Sequence, residues 1–226
     1  MLTPHRAWQR MKWNASLAGS FEEIFVEQPY SWLAKKIRPN TTVIDIGANI
    51  GDTAIYFAMI PNVKKVFAYE PNPETFSWAK NLINKSPTRK KITLINKAIS
   101  SNGGIIRVGK VYAGDKMFSY ENATQMEDGI EMESITLKKA LKGLRNVVIK
   151  SDAEGGEKEI FNKVNLSNVY ALIVEYHNCK SEVIEALRKD FYLKTKPTAS
   201  RLGYIYAIRR KNKRPNVYSN RKRGGK

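Results

Sequence analysis

Apolar positions along this chain alternate between two patterns. Short β-branched or aliphatic runs centred on Val43–Ile46, Val66–Tyr69, residues 91–95, 147–150 and 169–176 read as buried strands. Between them, apolar residues recur at helical spacing. Residues 52–59 place Ile55, Phe57 and Met59 inward, with Asp52 as the expected cap, and Asn72-Pro73 opens a helix with Phe76, Ala79 and Ile83 on one stripe. Further helices are expected at 135–144, 157–164 and 181–190, the last capped by Ser181, and one at 21–38 that Pro39 ends. Strand and helix alternating with short connections imply a right-handed, doubly wound α/β sheet of Rossmann-like type, mostly parallel. Residues 191–195 and 203–208 close it with an antiparallel C-terminal strand. Only 103–111 and 130–136 break the rhythm, as an antiparallel excursion whose polar connection, 113–129, is expected to be a mobile loop over the site.

Composition narrows this picture. The 226 residues suffice for one domain with a proper core, and no apolar run approaches a membrane span. The N-terminus lacks the apolar stretch of a secretory signal, and the single cysteine, Cys179, excludes an internal disulfide and fits a reducing compartment. A cytoplasmic location is the expectation. Net charge is +18, and residues 209–226 hold nine Lys/Arg and no acid, so half the excess lies in a tail expected to be disordered when free. Three segments follow: an N-terminal arm and helix at 1–40, a catalytic domain at 41–208 and the basic tail at 209–226. The arm carries Trp8 and Trp13 among bases, read as indoles docked on the core or as a surface for RNA.

Candidate chemistry sits at the end of the first strand. Residues 41–52, TTVIDIGANIGD, pass from strand into Gly47 and Gly51 and then a helix start, which makes a pocket at a positive helix end. Glu70 ends the next strand, 23 residues after Gly47, where a carboxylate can take two hydrogen bonds from a ribose diol. Dinucleotide binders need G-x-G-x-x-G, yet Asn49 and Asp52 stand where the second and third glycines belong. No phosphate loop of the G-x-x-x-x-G-K-[ST] type exists either. The remaining pattern, D-x-G-x-N-x-G beginning at Asp45, suits a nucleoside that carries an ammonium instead of phosphates, such as S-adenosylmethionine.

VIDIGANIGD followed by YEPNP resembles the FkbM family of S-adenosylmethionine-dependent methyltransferases. LINKAISSNGG at Leu94–Gly104 is similar to that family's third cofactor segment, and VIKSDAEGGEKEIF at Val148–Phe161 to its K-x-D-x-E-G-x-E signature. ALIVEYH at Ala171–His177 matches the strand that follows, so the likeness runs from about Phe21 to Arg209. The chain departs from the pattern at Ser151 and Gly156, and Thr136-Leu137-Lys138-Lys139 lacks an acid common there.

The resemblance implies a methyl donor held by Asp45, Gly47, Ala48, Asn49 and Gly51, with Glu70 and Asn72 near its ribose and Asn96, Lys97 and Ala98 along its adenine. Three carboxylates within six residues, Asp152, Glu154 and Glu157, could raise one another's pKa, so Asp152 and Glu154 are candidate bases. Glu175 and His177 share a strand face, and His177 titrates in a useful range. No metal is expected. The leading expectation is O-methylation of a hydroxyl on a small metabolite, sugar or glycolipid. The alternatives are an RNA methyltransferase whose basic tail contacts nucleic acid or another anionic surface, and a non-catalytic cofactor-binding module.

Overall fold

The computed structural model describes residues 22–108 and 130–210. The arm with Trp8 and Trp13, the segment 113–129 and the basic sequence beyond Arg210 lie outside these residues. Strands β1 (Thr41–Ile46), β2 (Val63–Tyr69), β3 (Ile92–Ile95), β7 (Val147–Asp152), β8 (Val169–His177), β9 (Phe191–Pro197) and β10 (Leu202–Arg209) form one seven-stranded sheet, ordered β3-β2-β1-β7-β8-β10-β9. The first five run parallel, while β10 pairs antiparallel with both β8 and β9. All six residues of β1 are buried, as a central strand covered on both faces requires. Strands β4 (Ala98–Ser100), β5 (Gly104–Val108) and β6 (Ile130–Thr136) make a separate three-stranded sheet, β5 antiparallel to β6 as expected and β4 parallel to it.

Helices flank the large sheet: α1 (Ser31–Ala34), α2 (Asp52–Ala58), α3 (Pro73–Lys85), α4 (Leu137–Ala140), α5 (Glu157–Ile160) and α6 (Lys180–Leu187). One core joins α2 and α3 to one face through Val43, Ile55, Phe57 and Ile83. The other packs α4, α5 and α6 through Ile44, Leu137, Ile160 and Val183. Helix α3 begins where the sequence says: the Asn72 side chain accepts from Glu74 N and Thr75 N, with Pro73 next, a cap worth about 1 kcal/mol.

Several local expectations need correction. The stretch 21–38 is not one helix. A single π-helical turn, Glu23–Glu27, ends at Gln28 in a left-handed conformation (φ 53°), and α1 follows after Pro29. Helix α2 is capped by Gly51 (φ 86°), which leaves Asp52 as its first residue, accepting from Thr53 N at 2.8 Å. Ser181 lies inside α6, whose cap position is Cys179. Helices α4 and α5 are single turns; Gly143 and Lys163, both at positive φ, turn the chain away after them.

Candidate active site

Because β1, β2, β3, β7 and β8 run parallel, their carboxyl ends share one edge of the sheet, where a doubly wound fold places ligands. The Gly47–Gly51 turn lies there, pinned to the end of β2: Gly47 N and Ala48 N both donate to Tyr69 O, at 3.1 and 3.0 Å. Asn49, at φ 48°, donates its N–H to Glu70 Oε2 at 2.9 Å, and Gly51 N bonds Ala48 O at 2.8 Å. Four of the turn's N–H groups are therefore spent internally. The row of free donors that a phosphate needs is missing, in line with the lost glycines.

Glu70 is 5 % exposed and bridges two loops, accepting from Asn49 N on one oxygen and Asn72 N on the other, both at 2.9 Å. Burial pushes its carboxyl up to about 7, against the pull of those two N–H groups and of Lys150. Asn96 holds the same corner from the end of β3, donating to Glu70 O and Pro71 O at 2.9 Å each. The cleft beside it is mostly apolar, walled by Ile46, Gly47, Tyr69, Pro71, Ala98, Ile99 and Ile106; among the described residues its sole charged lining residue is Glu159. Ile99 and Ile106 come from the small sheet, which thus builds one wall of this cleft.

Other sequence candidates point elsewhere. Asp45 is wholly buried, with Oδ2 accepting from Thr53 Oγ1 at 2.7 Å and Oδ1 3.3 Å from Lys150 Nζ, so it has no surface to offer a ligand ammonium. Asn72 uses its side chain to cap α3, and Lys97 pairs with Glu133 across to β6.

The ends of β7 and β8 carry the acid-rich half. Glu157, at the start of α5 and fully buried, accepts from Ala153 N (2.8 Å), Gly155 N (3.0 Å) and His177 Nδ1 (3.2 Å). The histidine's other nitrogen, Nε2, faces Glu154 Oε2 at 3.2 Å and Asp152 Oδ1 at 3.9 Å. Burial opposes charge on His177, yet the hydrogen bond and charge of Glu157, with Glu154 and Asp152, outweigh it and raise the imidazole to about 9. That shift favours the imidazolium over the neutral ring a base requires. Burial and then the Asp152 charge lift both Glu154 and Glu175 to about 7, and Asp152 is also raised, chiefly by burial. Its Oδ1 is enclosed without a hydrogen-bond partner. Glu154 holds its place at the cost of a left-handed backbone, φ 49°. Asp152, Glu157 and His177 bring one ligand atom each within 4.8 Å of one another, but the oxygens of Glu157 are already committed to the loop and the imidazole.

The two halves meet at Gly47. A Cβ on this residue would stand 1.8 Å from the carbonyl oxygen of Asp152, so the turn passes as close to the acid cluster as a glycine permits. A family model described as "Methyltransferase FkbM domain" matches residues 45–206. The chain belongs to the FkbM methyltransferase family. The FkbM domain here is thus an S-adenosylmethionine-dependent methyltransferase, and its match spans β1 through β10. Among solved structures, a precorrin-6y C5,15-methyltransferase from Geobacter metallireducens is 15 % identical, with 81 % of this chain and 89 % of that one covered at a TM-score of 0.50. A methyltransferase FkbM from Methylobacillus flagellatus is 12 % identical, with 91 % and 58 % covered at the same TM-score. These likenesses bear out the α/β methyltransferase-type fold with its antiparallel C-terminal strand. No curated protein sequence matches the chain. Among the described residues no helix is long and apolar enough to cross a membrane.

The methyl donor suits the residues present: an apolar cleft for a base, a buried acid at a strand end, spent N–H groups and no cation lining the cleft for a phosphate. Sequence reasoning passed over Tyr204 and undervalued Lys150. Tyr204 of β10 stands opposite Glu175 in the β8–β10 register, and burial followed by the Glu175 charge pushes its phenol up. A lysine closing the apolar run of β7, one position from solvent-free Ile149, was itself the signal, since a buried ammonium requires acids around it.

Proposed function

We propose that residues 41–208 form a catalytic domain that methylates a hydroxyl of a small, uncharged acceptor such as a sugar or metabolite. When bound, S-adenosylmethionine supplies a methyl group already activated on a sulfonium. The Gly47–Gly51 turn with Ala48 and Asn49 would hold it, with Glu70 toward the ribose and Ala98 with the apolar cleft toward the adenine. Asp45, Asn72 and Asn96 act behind these, fixing the turn, the helix start and the Glu70 corner.

The observation that carries the reading is Asp152: unlike Asp45, its side chain stays about a quarter exposed at the sheet edge, its Oδ1 lacks a hydrogen-bond partner, and its carbonyl abuts the turn glycine. Asp152 takes the acceptor's proton, and Glu154, held on His177, orients the hydroxyl. His177 stays protonated, anchored by Glu157, and keeps two carboxylates from moving apart. Replacing the acceptor's base by an amide should cost 10²- to 10⁴-fold in turnover. The test is Asp152→Asn assayed for S-adenosylhomocysteine release across a panel of hydroxyl acceptors: turnover falls while cofactor affinity holds. Equal turnover would overturn the assignment.

Acid at this edge also argues about the acceptor. Asp152, Glu154 and Glu175 would repel a phosphate chain, while the exposed bases Lys189, Lys194, Lys196 and Arg210 lie on and beside the outer strand β9. The RNA reading rests on that basic edge and the sequence after it, because phosphate contacts give affinity that falls steeply with salt. Deleting residues 211–226 decides between them. Unchanged turnover on a sugar or metabolite removes the RNA reading; joint loss of turnover and salt-sensitive RNA affinity establishes it.

A further inference from the structure

One buried charge is left unused by this chemistry. Lys150 is 1 % exposed, and its ammonium has four neighbours of unequal distance: Gly47 O at 2.6 Å, Ile46 O and Asp45 Oδ1 at 3.3 Å each, and Asp152 Oδ2 at 3.9 Å. The ring of Tyr30 closes the fifth side, its centroid 5.6 Å away. Asp45 and Lys150 are direct partners in the β1–β7 register, so the ion pair alone would have satisfied both charges. Yet the shortest contact goes to the carbonyl of Gly47, the residue that opens the cofactor turn. An ammonium has three protons. Two go to carbonyls where β1 ends, while Asp45 Oδ1 and Asp152 Oδ2 face the charge as ion-pair partners without a hydrogen bond.

We propose that Lys150 is a positioning residue that straps the cofactor turn to the Asp152 carboxylate, so that the methyl donor and the proton acceptor are set by one buried ammonium. This rests on the function proposed above and goes beyond it by naming the device that couples the two halves. Ile46 is the last paired residue of β1 and Gly47 follows it, and Lys150 donates to both carbonyls at that point. The same charge favours the ionised form of Asp152, opposing the burial that raises it. Around the ammonium, burial works against the charge, and Asp45, Asp152, Glu175 and Asp52 together outweigh it. Lys150 therefore stays a cation, and what it does is geometric and electrostatic.

Simple removal would confound two effects, since Lys150→Met also leaves Asp45 buried without a counter-charge. The informative variant is the pair Lys150→Met with Asp45→Asn, which removes both charges together. Expected results are a melting temperature higher than that of Lys150→Met alone, S-adenosylhomocysteine affinity at least tenfold below wild type by calorimetry, and a higher titration midpoint for the Asp152 carboxyl by carbon NMR. Lys150→Gln combined with the same Asp45→Asn separates the parts, because an amide can still donate to a carbonyl but has no charge. It should lose less affinity than the pair with Lys150→Met while moving the Asp152 midpoint equally. If both variants bind within twofold of wild type and the Asp152 midpoint stays put, Lys150 is merely a structural ion and the proposal falls. If instead wild-type protein binds no S-adenosylhomocysteine, the proposed function fails. The Asp152 midpoint would still report on the strap.

Discussion

Replacing Gly47 with alanine perturbs the one place where both halves of the site touch. Gly47 has φ +71°, and an added Cβ would stand 1.8 Å from Asp152 O and 2.9 Å from Asp152 C, backbone atoms with no rotamer to yield. The left-handed conformation alone costs a non-glycine residue about 1–2 kcal/mol. Forcing apart two packed backbone segments adds about 1–3 kcal/mol. For a chain of this size each kcal/mol shifts the melting temperature by roughly 2–4 °C, so a fall of about 4–20 °C follows. The turn must also retreat from β7, which breaks the 2.6 Å bond from Lys150 to Gly47 O. Cofactor affinity should drop at least tenfold. Gly143 provides the control: it shares the positive φ, at +76°, but an added Cβ meets nothing within 4 Å. Gly143→Ala should show only the backbone cost and bind cofactor normally. Thermal unfolding and calorimetry on both variants read the difference. If Gly47→Ala melts and binds like Gly143→Ala, the close approach of turn and acid cluster is irrelevant and the reasoning is refuted.

Other expectations follow from the same geometry. Glu70 is raised to about 7 in the fold from an ordinary 4.5; the folded state therefore binds more protons between those values, and its share of stability falls as pH rises through that window. Ribose binding needs the ionised form, so cofactor affinity should weaken below pH 7, by at most about tenfold per pH unit, and lose that dependence in Glu70→Gln. His177, raised to about 9, contributes stability that is complete below about 6.5 and lost as pH climbs through 9; the slope of melting temperature against pH in that range should flatten in His177→Asn. Asn96→Ala removes two bonds to the Glu70 corner and should weaken cofactor binding about tenfold. Lys97→Ala breaks an exposed pair with Glu133 and should leave the melting temperature unchanged.

What could be read from the residues differs by the range of the interaction. The alternation of strands and helices, the α3 cap at Asn72 and the antiparallel closing strand are legible because period, proline and apolar runs are local. Gly47, Glu70 and the acids after β7 stood out for the same reason. Asp45 was misjudged because its partner, Lys150, lies 105 residues on and meets it only across the β1–β7 register. His177 looked like a base for want of knowing that Glu157, Glu154 and Asp152 converge on its ring. The 21–38 stretch had helical spacing, but Gln28-Pro29 interrupts it, and a proline disfavours helical backbone at the residue before it. Gly51 outcompeted Asp52 as a cap because the turn needs a left-handed residue at that point. Lys150 was visible in the sequence but silent without its surroundings.

The most direct test is titration of the purified protein with S-adenosylhomocysteine by calorimetry, wild type beside Glu70→Ala. One site per chain in the wild type and none detectable in the variant is the predicted result. Heat of binding absent from the wild type, or undiminished in Glu70→Ala, would contradict the account.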